Sequence, residues 1–451
     1  MNLNNIKMEK TMKETDLTKG KVIKVIASLA LPIMGSSFLQ FTYNLIDMIW
    51  VGRLGSDAVA SIGSSSLFVN IGYAINALVV IGTGIKVSHA IGKRNNNEVD
   101  EYINSGIIIN TIIGIVFALI LIFFGKVLIG FLNLKSYRGE KDAYLYLAIS
   151  APILFFNFFN LLYTRILGSF GNNKLAFKIN AVGVIVNIIL DPIAIYILNL
   201  GVLGAALSTL FANILIFILL RIKSNGTLNY KRNVNIDKNK IIEIIKLGFP
   251  MAFQRVLFTI INILLAKIIA IFGANAIAAQ KIGVQIESIT YMIIGGFNGA
   301  VASFTGQNFG AKKYERIKEG YTSSLKIGII YSLFTAILFI FLNRPIIMLF
   351  IKEEETIHIA SSYLKAVAYS EIFSAIEMIS NGLFTGIGKP KIPSIISIVF
   401  TSLRIPLSLI LIKPYGISGV WLSIAISSAL KGIVAYLVYY IKLESYISYN
   451  E

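Results

Sequence analysis

The stretch Asn187-Ile188-Ile189-Leu190-Asp191-Pro192 lies inside a run from Ala181 to Leu198 that is otherwise apolar. A carboxylate in hydrocarbon is costly unless it is paired, hydrated or protonated, so an acid at membrane depth marks a functional site by default. The run fits one spanning helix, which needs ~20 apolar residues at about 1.5 Å rise each. Working outward with that ruler, twelve segments of this kind appear, at roughly 24–51, 58–90, 103–133, 142–168, 176–198, 202–222, 241–272, 275–307, 317–350, 358–386, 391–413 and 416–442. A closed barrel is excluded, because the segments are too long and lack alternation.

Composition agrees. The 451 residues are 56% hydrophobic and 14% charged, with a mean hydropathy of +0.75, which does not suit a soluble domain with a charged surface. The expected fold is therefore an all-α integral membrane protein. With no Cys, disulfides and thiolate metal sites are excluded. The polar stretch from Met1 to Gly20 has no short apolar core and cleavage site, and reads as a cytosolic tail rather than a secretory signal.

Lys and Arg collect in alternate loops. The tail holds Lys7, Lys10, Lys13, Lys19, Lys21 and Lys24, the second loop Lys93 and Arg94, and the fourth Arg165, Lys174 and Lys178. The sixth holds Arg221, Lys223, Lys231, Arg232, Lys238 and Lys240, and the eighth Lys312, Lys313, Arg316 and Lys318. The odd-numbered loops have fewer, chiefly Arg53, Lys135, Arg138, Lys141, Arg344 and Lys352. The positive-inside rule then places both termini in the cytoplasm. The net charge of +18 is read as a bias toward anionic lipid headgroups, and its dispersal over many short loops argues against a nucleic-acid partner.

The chain also repeats. Leu31-Pro32 matches Phe249-Pro250 at an offset of 218 (250 − 32), as do Gly55 with Gly273 and Gly92 with Gly310. Gly171 and Lys174 recur as Gly388 and Lys391 at 217 (388 − 171). One offset held over so long a stretch argues for two six-helix halves. The expected division is a cytosolic tail 1–23, a first lobe 24–222, a linker 223–240, a second lobe 241–442 and a tail 443–451. An even number of spans per half implies a pseudo-two-fold axis along the membrane normal, and two such bundles around a cleft make a transporter architecture.

Leu31-Pro32 with Asp47 and Val51-Gly52-Arg53-Leu54-Gly55, then Gly168-Ser169-Phe170-Gly171, Leu190-Asp191-Pro192, Thr305-Gly306-Gln307-Asn308-Phe309-Gly310-Ala311 and Gly419-Val420-Trp421, occur in this order over essentially the whole chain. Together they resemble the MATE (multidrug and toxic compound extrusion) exporters, and the first-half pattern is similar to the DinF-like branch. The resemblance implies a V-shaped pair of lobes that exports organic, often cationic compounds against H⁺ or Na⁺. It implies a monomer in the cytoplasmic membrane of a prokaryote, with membrane lipids around it and no cofactor beyond the coupling ion. It also implies roles. Asp47 of helix 1, Asn187 and Asp191 of helix 5 and Thr209 of helix 6 match the cation-linked cluster, with Na⁺ as one candidate occupant. Gln40, Tyr43 and Tyr146 match the substrate cavity, while Asn160 and Thr164 compete for one helix 4 position.

The residue types suit that chemistry. Gln40, Tyr43 and Asp47 are spaced to share one helical face. Two carboxylates in one low-dielectric pocket cannot both stay ionised without a cation, so they share either a proton or a Na⁺. Oxygen donors from Asn187, Thr209 and a backbone carbonyl would complete a hard-cation site, and Pro192, lacking an N–H, leaves the Ile188 carbonyl available. Proton and Na⁺ remain alternatives. Plainer readings stand beside these: Asp47 as an interfacial partner of Arg53, Asn187 and Asp191 as a hydrogen-bonded pair that only joins helices, Thr209 as a packing residue, and Pro32 as a simple kink rather than a hinge.

The second half departs from the NorM-like branch, which has an acid in helix 7 where this chain reads Gly248-Phe249-Pro250-Met251-Ala252-Phe253-Gln254-Arg255. Glu287, Glu371 and Glu377 are its membrane-depth acids, with Arg255, Lys267 and Arg404 as available partners. They are expected to be structural or to line the cleft. The nearest rival to an exporter is a flippase for lipid-linked precursors, whose cleft should be strongly cationic. A membrane enzyme is disfavoured, since no paired metal motif or Ser–His set shares a face. No nucleotide-binding loop occurs, which excludes ATP-driven transport within this chain.

Overall fold

A computed structural model describes residues 15–131, 137–234 and 237–448. Lys7, Lys10, Lys13 and Lys135, most of the expected N-terminal tail, part of the linker and the last residues of the C-terminal tail lie outside the described residues. Among the described residues there is no strand. Helices α1 (Val22–Gly52), α2 (Ser56–Gly92), α3 (Asn96–Phe131), α4 (Tyr137–Ser169), α5 (Asn173–Pro192) and α6 (Gly201–Lys223) form the first series. The second series is α7 (Lys238–Ala270), α8 (Ala274–Gly310), α9 (Tyr314–Phe341), the short α10 (Asn343–Met348), α11 (Glu354–Ala368), α12 (Glu371–Gly386), α13 (Lys391–Ser402), α14 (Arg404–Tyr415) and α15 (Ile417–Ser448).

Among the described residues, ten helical stretches are long and apolar enough to cross a membrane, counting α5 with its π-helical extension Ile193–Ile197 and α13 with α14 as single spans. The polar α8 and the α11–α12 pair bring the architecture to the twelve predicted segments. Three of these are broken rather than continuous, the ninth at Leu342 between α9 and α10. The tenth is interrupted at Tyr369 and Ser370, and the eleventh at Leu403.

The repeat is written in the backbone as well. Gly55 and Gly273 have φ of +107° and +92°, and Gly171 and Gly388 have +77° and +76°. Even the non-glycine Arg94 and Lys312, again 218 apart, sit at +58° and +55°. Nothing lies within 4 Å of where a Cβ would be at Gly55 or Gly273, so these two are glycines for their left-handed backbone and not for want of space.

The chain forms two compact units, one chiefly Leu31–Ala252 and the other Leu17–Ala30 with Phe253–Glu451. Two divisions fall inside helices: one just ahead of Pro32 in α1, the other two residues past Pro250 in α7. Proline removes an i→i−4 hydrogen bond and lets a helix bend. Local contacts fasten each helix start. In the second unit, Leu17 N–H donates to Gln307 Oε1 (3.1 Å), Asn308 Nδ2 donates to the Leu17 carbonyl (3.2 Å) and Arg316 Nη2 donates to the Lys19 carbonyl (2.7 Å). The Gln307-Asn308 motif is thus a cradle for the backbone that enters α1. In the first unit, Glu243 of α7 pairs with Lys86 of α2 (2.7 Å), accepts from Tyr102 of α3 (2.6 Å) and lies near Lys240, which pairs with Glu101.

Each unit has its own core. In the first, Tyr102, Ile103, Phe159, Leu162, Ile166 and Leu220 pack with buried side chains from α2 to α6. In the second, Trp421 is fully buried and meets Tyr363 edge-on at 5.0 Å. Outward faces stay apolar, as with Phe123 and Val127 of α3 at 73% and 69% exposed; an exposed apolar band of this kind suits contact with lipid.

Candidate functional site

Helix α5 begins at Asn172, whose side chain accepts from the Leu175 N–H (3.3 Å), and ends where Pro192 cannot donate. Five residues of π-helix follow, a distortion common at functional sites. Asn187 and Asp191 are one turn apart on the buried face of α5, at 2% and 0% exposure. The Asn187 amide is satisfied when Nδ2 donates to Asp191 Oδ2 (3.1 Å) and Oδ1 accepts the Thr209 N–H of α6 (3.2 Å). Ser208, whose hydroxyl donates to the Gly204 carbonyl (3.0 Å), lies beside the Asp191 carboxylate.

Helix α1 completes the group. Tyr43 and Thr209 share a hydrogen bond between hydroxyls (3.3 Å). Asp47, one turn beyond Tyr43, lies close enough to Asp191 for the two charges to act on each other, and Tyr146 of α4 feels both. The structure therefore brings Asp47, Asn187, Asp191, Thr209, Tyr43 and Tyr146 together inside the first unit. Gln40 is elsewhere: it is exposed and donates to Asn44 on its own helix (3.1 Å). On α4, Asn160 joins the network through Asn213 of α6, whereas Thr164 is a turn further and takes no part in it. Arg53 lies over the Trp50 ring at 5.2 Å.

Ser208, Asn157 and Asn213 were not singled out from sequence. The signal was present: Asn213 follows Thr209 by four residues, and Asn157 precedes Asn160 by three, the spacings of one helical face.

The acids of the second unit are arranged differently. Glu287 accepts from Tyr291 (2.7 Å) and Tyr363 (2.6 Å). Glu377 pairs with Lys431 of α15 at 3.0 Å, both about one-tenth exposed, rather than with Arg255, Lys267 or Arg404. Arg404 instead donates to Ser427 (2.7 Å) and Ser428 (3.1 Å). Glu371, the first residue of α12 after the break, has both carboxylate oxygens buried without a hydrogen-bond partner. Removing one member of a buried ion pair strands the other, at about 3–5 kcal/mol. Glu377→Gln is accordingly expected to lower the melting temperature of the purified protein, and Glu377→Gln with Lys431→Met to restore much of it. A melting temperature unchanged in the single variant would show that the pair is not stabilising.

The MatE family matches residues 32–193 and again 250–410; the two matches start at Pro32 and Pro250. A relative named "Probable multidrug resistance protein YoeA", from Bacillus subtilis, is 26% identical over 444 residues, covering 94% of each chain. The multidrug export protein MepA of Staphylococcus aureus is 26% identical over 441 residues, again covering 94% of each. Among solved structures, a MOP superfamily transporter from Pyrococcus furiosus has a TM-score of 0.90 at 23% identity, over 97% of this chain and 99% of the other. An outward-facing multidrug resistance MATE family transporter gives 0.90 at 24%, with the same coverage. At these identities the structural likenesses speak for the fold.

Proposed function

The chain belongs to the MatE family, and we propose that it is a secondary multidrug exporter in which Asp47 and Asp191 couple outward movement of organic, often cationic compounds to inward movement of H⁺ or Na⁺. The observation that carries this reading is the placement of half-buried Asp47 beside the buried Asp191 in a multi-pass membrane protein. A carboxylate pair in low dielectric favours a shared proton or a bound cation over two free charges. The donor set fits either occupant. Asp47 and Asp191 would hold Na⁺ with the oxygens of Asn187 and Thr209, a hard-oxygen set, and would hold a proton between them equally well. The bound ion supplies the charge that keeps the pocket hydrated and open; when it leaves, α1 repacks against the pocket and narrows it.

Such a cycle needs two states of the first unit that differ by only a few kcal/mol, so that one ion can bias them. Tyr43 and Tyr146 offer aromatic contact suited to drug-like cations. The natural setting is the cytoplasmic membrane of a prokaryote, with both termini on the cytoplasmic side. Ethidium transport in inside-out vesicles, with Na⁺ and pH gradients imposed separately, is expected to follow one gradient and to stop when it is collapsed. Uptake indifferent to both gradients would overturn the proposal.

Pro32 gives this reading a moving part. It lies where α1 passes from one compact unit to the other, about four turns from Asp47. Restoring the missing hydrogen bond stiffens the helix without touching a ligand. Pro32→Ala is expected to slow efflux about tenfold while leaving equilibrium affinity for a fluorescent substrate within about twofold, a difference of some 1.4 kcal/mol in the barrier alone. An unchanged rate would reject the hinge, and an equal loss of affinity would show that Pro32 shapes the cavity instead.

A further inference from the structure

Helix α6 presents Thr209, Asn213, Phe217 and Arg221 at steps of four, one residue per turn along one face. Thr209 closes the carboxylate cluster. One turn on, Asn213 Nδ2 donates to the Thr209 carbonyl at 2.9 Å. From α4, the Nδ2 groups of Asn157 and Asn160 both donate to Asn213 Oδ1, at 2.9 and 3.2 Å, and Asn160 also reaches the Asn213 carbonyl at 3.0 Å. A continuous line of hydrogen bonds therefore runs from Asp191 through Asn187, Thr209 and Asn213 to two further amides.

That line ends unsatisfied. Asn157 Oδ1 and Asn160 Oδ1 are buried without any donor, and Asn160 is only 5% exposed. Buried amide oxygens are nearly always hydrogen-bonded, and where protein supplies no donor a bound water does. Three asparagines whose only task was to join α4 to α6 would satisfy one another; these leave two acceptors over, so the site is built for a guest that donates.

Beyond the amides the polarity stops abruptly. Phe217 meets the rings of Phe156, Phe159 and Tyr163 at 5.5, 5.6 and 5.8 Å between centroids, and Phe159 meets Tyr163 at 5.6 Å. A turn further, the exposed Arg221 guanidinium stands 5.7 Å from the Phe217 ring and donates to Asn229. Over three turns the order is hydroxyl, amide, aromatic, cation. A polar segment closed by an aromatic constriction is how a pore admits an ion only when its constriction opens, and a fixed positive charge outside adds a barrier to cations.

We propose that this column is the inner passage of the coupling ion: Asn157, Asn160 and Asn213 hold the water that hydrates H⁺ or Na⁺ between the carboxylate pair and the membrane face carrying Arg221, and the rings of Phe159, Tyr163 and Phe217 close it. The passage rests on the coupling reading above and adds to it a route that runs between α4 and α6. Ion and drug then need not pass each other in one cavity.

The test uses the full chain in proteoliposomes. Phe217→Ala is expected to raise substrate-independent Na⁺ or H⁺ uptake at least about tenfold by removing the constriction, and Phe217→Ala with Asp191→Asn to return it to background. Asn213→Leu, or the gentler Asn157→Leu, dries the segment and is expected to slow coupled export about tenfold with substrate affinity unchanged. A readout free of transport is available because the chain has no Cys. Asn213→Cys is expected to react slowly with a small water-borne methanethiosulfonate, and at least about tenfold faster once Phe217→Ala is added. If wild type shows gradient-driven export while these variants leak, export and label as it does, the passage is overturned and the coupling reading stands. If wild type itself exports without regard to any gradient, the coupling reading falls and the passage with it.

Discussion

Asp191→Asn is expected to reduce gradient-driven export to the level of empty vesicles while the protein still inserts and folds, and Asp47→Asn to do the same. The reason is the pocket itself. Asp191 is buried, and half-buried Asp47 lies close enough for the two charges to act on each other, so a proton or a cation is the natural occupant, and its arrival and departure are what the gradient can drive. Asparagine keeps the shape and the oxygen acceptor but removes the charge that needs an occupant. It also removes the cost of burying that charge, so stability should hold or rise. Asn187 can still donate to an amide oxygen at position 191, which keeps α5 and α6 joined. Drug resistance in a sensitive host is the whole-cell readout, and efflux in vesicles isolates the step. Full resistance from the double variant would end the assignment of coupling to this pair. Asn187→Ala provides the contrast: it leaves both charges but loses the bridge to Thr209, so export should fall in rate and keep its dependence on the gradient.

Much of this was legible because hydrocarbon allows so few solutions. Long apolar runs have to be helices, and the offset between Pro32 and Pro250 located the repeat before any coordinates did. The same offset reappears in the backbone, where Gly55 and Gly273 share one left-handed conformation. What the apolar ruler missed follows from its nature. A hydropathy run reports length and not continuity, so the breaks at Tyr369–Ser370 and at Leu403, which place Glu371 and Arg404 at new helix starts, were invisible. Chain order suggested that a six-helix half is a compact unit. The starts of α1 and α7 are fastened by side chains distant in sequence, Gln307 holding Leu17 ahead of α1 and Lys86 holding Glu243 of α7. The candidate site was partly legible for a related reason. Acids at membrane depth stand out singly, whereas Asn157 and Asn213 gain meaning only through each other, and Gln40, although on the expected face of α1, turns to Asn44 instead.

Gly248→Val is expected to abolish the folded protein, and the cause is backbone contact rather than chemistry. A Cβ at Gly248 of α7 would stand 1.8 Å from the Leu78 carbonyl oxygen of α2, and one at Gly82 would stand 2.1 Å from the Ile244 carbonyl oxygen. Glycines four residues beyond Leu78 and Ile244 thus face each other's helices, and the two backbones cross in direct contact, as small residues allow in membranes. No rotamer relieves a clash with a carbonyl, so the helices must part. Overpacking in an ordinary core costs about 1–3 kcal/mol, and here the relief would also pull Glu243 away from Lys86 and Tyr102, one turn along α7. The first part of α7 would then lose its place in the first unit. Gly63 of α2 is the control, since nothing lies within 4 Å of its absent Cβ; Gly63→Ala should gain about 0.5–1 kcal/mol from helix propensity. Size-exclusion profile and melting temperature in detergent read both. A Gly248→Val protein that elutes and melts like wild type would mean that α2 and α7 do not cross at this distance.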